Sequence, residues 1–562
     1  MFSRKISRRS FLTTSSIFTL LLGLDWKRVA AYAARMGPKK DYPTVIIGAG
    51  LGGLCCGAYL AKQGIPVTVV EQRDRPGGYA ASFDRDGGKY RFEVSLHGMY
   101  AKNNVVERIL EDLGVQKELE LVQLSEVYHL RSPDHQISVP QRDPEEYVRI
   151  LSRHFPAEEE GIRGFVQEIV GIACEADELH QSGMCASLLF PFKYPKMFRV
   201  RNKTLAGLLN RYIRDPKLQT ILASLWDFHG LPPSKLAGLY YAVAKGECLR
   251  NGTYYIKERS SDLSFALADV IKREGGQMLY ETLAQKILIE KDAVKGVMLT
   301  TGKILPARAV VSNASAAHTF GSMLPKGALP KEFSRELKTF VPSLSSFIVW
   351  LGLKGELRGK IPFCGIQTVT ERGPEQEYAS CLRGDVEKVP LRVSLYDNMY
   401  AGYSKPGTST LRVFCLTGYG PWRKFEKDYK AGRKEAYRKE KERWAETLIS
   451  RAEKEILPGL SSMIEVREAA SPLTNWRFTR NPGGAIFGYE QTLNHAYIDR
   501  KDNRTPIKGL YLASAWGVPG GGYWGVLLTG QMAFEEMMED WGSPIPALKN
   551  RNAIIHSQKW KT

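Results

Sequence analysis

Nothing in these 562 residues spaces cysteines the way a metal or dithiol centre needs them. Cys55, Cys56, Cys174, Cys185, Cys248, Cys364, Cys381 and Cys415 contain no Cys-x-x-Cys pair, which argues against a zinc site or a thioredoxin-like redox pair. Disulfides stay open, because spacing alone assigns none. No Ser-His-Asp arrangement, paired-carboxylate signature or metal-ligand cluster is visible, so no metal is expected and hydrolytic chemistry has no visible machinery. Repeats and low-complexity tracts are absent as well. With 43% hydrophobic and 25% charged residues, the composition excludes a polytopic membrane protein and a largely disordered one. The length exceeds what a single core usually holds, so at least two packed regions are expected.

What is there begins with charge. The formal net charge is +19, of which residues 1–40 contribute +8, leaving +11 for the rest. No basic stripe interleaved with aromatics follows a nucleic-acid spacing, so the excess reads as an anionic lipid surface as partner or as solubility alone, and nucleic acid is not expected. Ser7-Arg8-Arg9-Ser10-Phe11-Leu12 opens an uncharged stretch that ends at Leu24, shorter than the ~20 residues of a spanning helix. Paired arginines before a short, modestly apolar segment read as a twin-arginine signal over residues 1–36. The expected partner is the twin-arginine export machinery, and the expected location is periplasmic and membrane-associated. That route carries folded proteins, which suits a chain that must take up a nucleotide cofactor in the cytoplasm.

The cofactor motif comes next. Thr44-Val45-Ile46-Ile47 is a β-branched run typical of a buried parallel strand, and it enters Gly48-Ala49-Gly50-Leu51-Gly52-Gly53. Gly48, Gly50 and Gly53 supply a tight turn, close approach to a pyrophosphate and close helix–strand packing. The helix that follows aims its first amides at phosphate oxygens. Val67-Thr68-Val69-Val70 gives the second strand, and Glu71 at its C-terminal end suits ribose hydroxyls. A double glycine, Gly77-Gly78, just beyond Glu71 lets backbone pass close to an extended FAD. No flavin-linking His or Cys motif is recognisable, so the expected cofactor is noncovalent FAD.

From Arg75-Pro76-Gly77-Gly78-Tyr79-Ala80-Ala81-Ser82-Phe83 onward the chain resembles the phytoene desaturase, carotenoid isomerase and retinol saturase branch of FAD-dependent oxidoreductases. Those proteins carry a Phe-Asp-x-Gly segment beside the flavin; here it reads Phe92-Glu93-Val94-Ser95-Leu96-His97-Gly98. The resemblance returns in Asp262 through Ala314, in Ser471-Pro472-Leu473-Thr474-Asn475-Trp476 through Gly488, and in Gly509 through Gly522. It implies that backbone near Ala284 meets the adenine. The family usually has Gly-Asp or Gly-Gln where Ser514-Ala515 stand, and Ala515 offers no side-chain bond to the cofactor. The expected cofactor-binding set is therefore Gly48, Ala49, Gly50, Gly53, Glu71, Gln72, Arg75, Gly77, Gly78, Ala284, Gly520, Gly521 and Gly522. Retinol saturases show a histidine like His97, which makes it the candidate to move a proton at a polyene carbon, against the plainer reading of a structural histidine.

The expected fold class is α/β: a discontinuous Rossmann-type FAD domain with an inserted α+β substrate domain. Residues 41–120, 260–320 and 481–545 are assigned to the FAD domain, 121–259 and 321–480 to the substrate domain, and 546–562 to a tail. Asp428–Glu455, dense in both charge signs, reads as a solvated helix face. Trp476, Phe478 and Phe487 read as an apolar slot or as plain core. The stretch from Ala186 to Arg199 interleaves bulk with cations and reads either as a membrane dock or as a lid. Three functions stay open. One is a saturase or desaturase of C=C bonds in a lipophilic polyisoprenoid such as a carotenoid or retinoid. The second is a carotenoid-type isomerase without net redox. The third is a non-catalytic flavin-containing lipid-binding protein. A membrane quinone or a redox protein is the expected electron partner.

Overall fold

The computed structural model describes residues 43–181, 190–361, 363–500 and 502–542. The twin-arginine segment, the expected tail, and Ala186 through Leu189 of the basic, aromatic stretch lie outside the described residues.

β-Branched runs make the first sheet. Strands β1 (Thr44–Ile47), β2 (Val67–Val70), β3 (Gln277–Leu279), β4 (Ala309–Ser312) and β5 (Leu510–Leu512) line up in the order β5-β4-β1-β2-β3. All four pairings are parallel. Every residue of β1 and β4 is buried, as expected for strands covered on both faces. Helices α1 (Leu51–Lys62), α2 (Ser260–Arg273) and α3 (Gly522–Asp540) pack together, with α1 central and almost wholly buried. Glycine permits this crossing. A Cβ on Gly52 would lie 2.3 Å from the Ala513 carbonyl oxygen, and one on Gly530 would lie 2.5 Å from that of Gly52. Cys55 and Cys56 sit fully buried in the same seam, acting as small apolar groups. This is a mixed α/β fold with a Rossmann-type dinucleotide-binding sheet, contributed by chain stretches far apart in sequence.

The second sheet has seven strands, in the order Ile464–Ala470, Ser345–Lys354, Thr408–Thr417, Arg392–Leu395, Gly365–Thr368, Glu126–Arg131 and Gln136–Pro140. Its neighbours run antiparallel except for the parallel pair of Glu126–Arg131 with Gly365–Thr368. Its two long central strands are buried on both faces. On the outer face Phe347, Trp422 and Trp444 pack ring on ring, under the helix Glu435–Glu455. That helix has the expected charged, solvated face, with Lys439 and Arg451 paired to Glu435 and Glu455. It also carries a buried stripe of Tyr437, Trp444, Leu448, Ile449 and Ala452. The inner face of the sheet looks toward the nucleotide fold, and the cavity lies between them.

In the basic, aromatic stretch, Arg199 makes a fork of bonds to the buried Glu168, which Lys196 also approaches at 3.6 Å. Met197 and Tyr194 are buried, whereas Phe192 is 83% exposed.

Candidate cofactor and substrate site

The strands of the first sheet end where their backbone amides and carbonyls turn toward one cavity of about 780 Å³. A crevice at the C-terminal ends of parallel strands is where open α/β sheets bind ligands. Two helices open on it. Helix α1 has Gly50 as N-cap and α3 has Gly521; neither has a side-chain cap nor an acidic residue in its first turn. Their leading amides are therefore left for an anionic or acceptor group.

Between them stands Glu71, buried at the end of β2. Its Oε2 accepts the Ala49 amide at 2.8 Å and its Oε1 accepts the Arg73 amide at 2.9 Å. Burial pushes the carboxyl up, while those amide bonds pull it back. Gly77 donates its amide to the Ala49 carbonyl at 2.7 Å, with φ at +123°, a value that disfavours a side chain. A Cβ on Gly78 would touch only the Gly50 Cα, at 3.6 Å, and one on Gly522 would meet nothing within 4 Å. Bare backbone thus borders open space at both glycine motifs.

Of the predicted cofactor residues, Gly48, Gly50, Glu71, Gln72, Arg75, Gly77, Gly78, Ala284, Gly521 and Gly522 line this cavity, as does His97. Ala49, Gly53 and Gly520 do not. Ala49 spends its amide on Glu71, and a Cβ on Gly53 would lie 2.5 Å from the Gly48 carbonyl oxygen. Gly520 backs onto Gln491 and Arg500. Gln72 binds the Phe478 carbonyl at 2.7 Å, and Arg75 forks onto its neighbour Asp74, so both side chains sit at the rim with local partners. Phe478 and Phe487 reach the cavity; Trp476 instead stacks under Lys430 and Arg480. Ala515 lines the cavity and gives its carbonyl to Arg500.

Asn313 is a residue that motif reading passed over. From the end of β4 its Oδ1 accepts the Gly50 amide at 3.0 Å, and its Nδ2 donates to the Ala513 carbonyl. It ties the glycine turn to the last strand. Its signal was its place at the C-terminal end of a parallel strand.

Beyond the nucleotide cradle the cavity crosses the inner face of the seven-stranded sheet. Ile348, Trp350 and Phe414 form its floor, with Leu225, Phe228 and Val243 opposite. Trp350 is fixed by its indole N–H, which donates to the Glu93 carbonyl at 2.7 Å. His97 stands at the same place. Arg412 Nη1 donates to His97 Nε2 at 2.7 Å, and His97 Nδ1 lies 3.2 Å from Ser394 Oγ. Guanidinium only donates, so Nε2 is the acceptor and the ring proton sits on Nδ1. Burial, with Arg412 and Arg392 nearby, holds the imidazole well below its usual range and therefore neutral. Arg392 itself pairs with the buried Asp227, and burial brings it down to about 10. Arg392, Arg412 and Asp227 were also missed, although a lone charge inside an apolar strand is an unusual sign.

The donor set fits FAD. Two uncapped helix starts suit the pyrophosphate and the electron-rich edge of the ring, the Glu71 carboxylate suits ribose, and the bare glycines leave the needed clearance. Fold and site together define an FAD-dependent oxidoreductase. The chain belongs to the family described as flavin containing amine oxidoreductase, whose model matches residues 51–538. It is 24% identical to the prolycopene isomerase, chloroplastic, of Daucus carota over 96% of this chain and 86% of that protein. It is 25% identical to the all-trans-retinol 13,14-reductase of Homo sapiens over 94% of this chain and 90% of that one. Among solved structures, an oxidoreductase from Methanosarcina mazei superposes with a TM-score of 0.57 at 17% identity, covering 88% of this chain and 100% of its own.

Proposed function

We propose that the chain acts on C=C bonds of an apolar polyisoprenoid, carotenoid- or retinoid-like, as a saturase or desaturase. The observation that carries this reading is the cavity's continuation from the FAD cradle over the apolar floor of Ile348, Trp350 and Phe414. Flavin when bound supplies hydride or electron exchange at its ring. The chain's own residues then have three tasks. Glu71, Gly50 and Gly78 hold the dinucleotide; Trp350, Phe414 and Phe228 bury the substrate chain and exclude water; His97 stands where a proton is moved. His97 acts as a base only at Nε2, the atom to which Arg412 now donates, so proton transfer requires that contact to open.

The names of the relatives support two variants of this reading, reduction of a polyene and its isomerisation. Membership of an oxidoreductase family favours catalysis over a purely lipid-binding role. The test is anaerobic mixing of reduced holoprotein with a C20 or C40 polyene. A saturase returns the yellow colour and yields product heavier by H2. A desaturase does the converse from oxidised holoprotein. An isomerase changes retention time without changing mass or flavin colour. No product from any polyene in either redox state overturns the proposal.

We propose further that the protein is exported by the twin-arginine route, rests on the membrane surface, and exchanges electrons with a quinone or redox protein. The Arg8-Arg9 pair, the positive charge outside the signal, and the outward Phe192 and Lys193 support this. No described helix is long and apolar enough to cross a membrane.

A further inference from the structure

One carboxylate answers two buried arginines beside the substrate floor. Arg392 and Arg412 both reach the cavity from neighbouring strands of the seven-stranded sheet, where Arg412 pairs in register with Ser394 and Phe414 with Arg392. Arg392 has a carboxylate partner. It donates to Asp227 and, through Nε, to Gln367 Oε1 at 2.7 Å, and its guanidinium lies 3.3 Å from the Phe228 ring centre. The second oxygen of Asp227 accepts Gln367 Nε2 at 3.0 Å, and the ion pair of that carboxylate is with Arg392, not with Arg412.

Arg412 is only 2% exposed. Among the described residues it has no carboxylate within ion-pair distance. Its hydrogen bonds all leave from Nη1: to neutral His97 at 2.7 Å, to the Ser95 carbonyl at 3.4 Å and to the Tyr396 hydroxyl at 3.4 Å. Its Nε is buried without a partner, and no bond from Nη2 to a described residue exists. Such a charge is costly to bury unless something completes it. A pure hydrocarbon substrate would leave it uncompleted.

We propose that the substrate is an apolar chain ending in a carboxylate, and that Arg412 binds that group, oriented by His97. The proposal rests on the polyene reading and names the polar end of the substrate. It makes Arg412 a specificity-determining residue.

The experiment is equilibrium binding to oxidised holoprotein, followed by tryptophan quenching. The probes are a C20 polyene carboxylic acid, the matching alcohol and the matching hydrocarbon. Wild type is expected to bind the acid at least about tenfold more tightly than the alcohol, the scale of one charged hydrogen bond. Arg412→Met is expected to lose that preference while alcohol and hydrocarbon affinities stay within about twofold, and Arg412→Lys to keep part of it. Variants are compared at matched flavin content. If Arg412→Met does not hold flavin, the wild-type preference and Arg412→Lys decide. Equal affinity of wild type for acid and alcohol overturns the inference and leaves the C=C reading standing, as does an Arg412→Met protein that still prefers the acid. Failure of all three probes to bind overturns both.

Discussion

Glu71 braces the glycine turn with the same carboxylate that the motif offers to a ribose, and the bracing was invisible in the motif. As a ribose acceptor it was legible from its place after the second strand. Its bonds to the Ala49 and Arg73 amides, which brace the glycine turn, depend on a three-dimensional approach that no spacing announces. Glu71→Ala should therefore weaken FAD by about 1–3 kcal/mol, roughly five- to 150-fold, as for a charged hydrogen bond lost. It should also lower the melting temperature of the apoprotein, because two backbone donors lose their partner. Titration of apoprotein with FAD and a melting curve check each half; unchanged affinity in a folded variant removes Glu71 from the site. The glycines were legible for the same local reason as Glu71's ribose role, since strand, turn and helix follow one another within the chain. Arg392, Arg412 and Asp227 were not. Their meaning depends on who stands opposite, and Asp227 and Arg392 are 165 positions apart.

At the scale of elements, short β-branched strands and the glycine-capped helix were readable, while the helix Glu435–Glu455 was half-read. Its sequence is so charged that the apolar positions look incidental, yet they form one stripe that seals the outer face of the seven-stranded sheet. The stripe is sparse because the sheet beneath supplies Phe347 and the neighbouring helix supplies Trp422. Trp444→Ala should thus cost about 3–5 kcal/mol, the usual range for an aromatic removed from a core. Flavin affinity in the surviving folded fraction should be unchanged, since Trp444 lies on the face away from the cavity. Chemical denaturation followed by tyrosine and flavin signals separates the two effects; a loss below about 1 kcal/mol would show that this helix is only a surface cover.

For the whole molecule, membrane contact and export are tested separately. Arg8 and Arg9 to Lys should leave yellow, folded protein in the cytoplasm, and normal export of that variant would mean the address has been misread. For contact, the paired cations Lys196 and Arg199 are poor candidates because Glu168 already holds them, and charge given to a protein carboxylate is lost to lipid. Phe192→Ser should lower co-sedimentation with neutral and anionic liposomes alike, because it removes apolar area. Lys193→Gln should matter only for anionic ones at low salt. Both are measured on protein lacking residues 1–36; wild-type binding by both variants would make the stretch an ordinary lid.

The order of the first sheet has a consequence for biosynthesis. Strand β5 is made well after β4, yet it adds the edge beside it, and Asn313 holds the glycine turn to the carbonyl of Ala513, 200 positions further along the chain. Helix α3, whose start faces the cavity, follows directly. A nascent chain that already displays the Gly48–Gly53 turn therefore still lacks half of the cofactor's cradle. Protein cut short before Gly509 is therefore expected to stay colourless, which titration with FAD would check. Under the export proposal, yellow colour would then be a mark of completeness, gained before the protein leaves the compartment that supplies FAD.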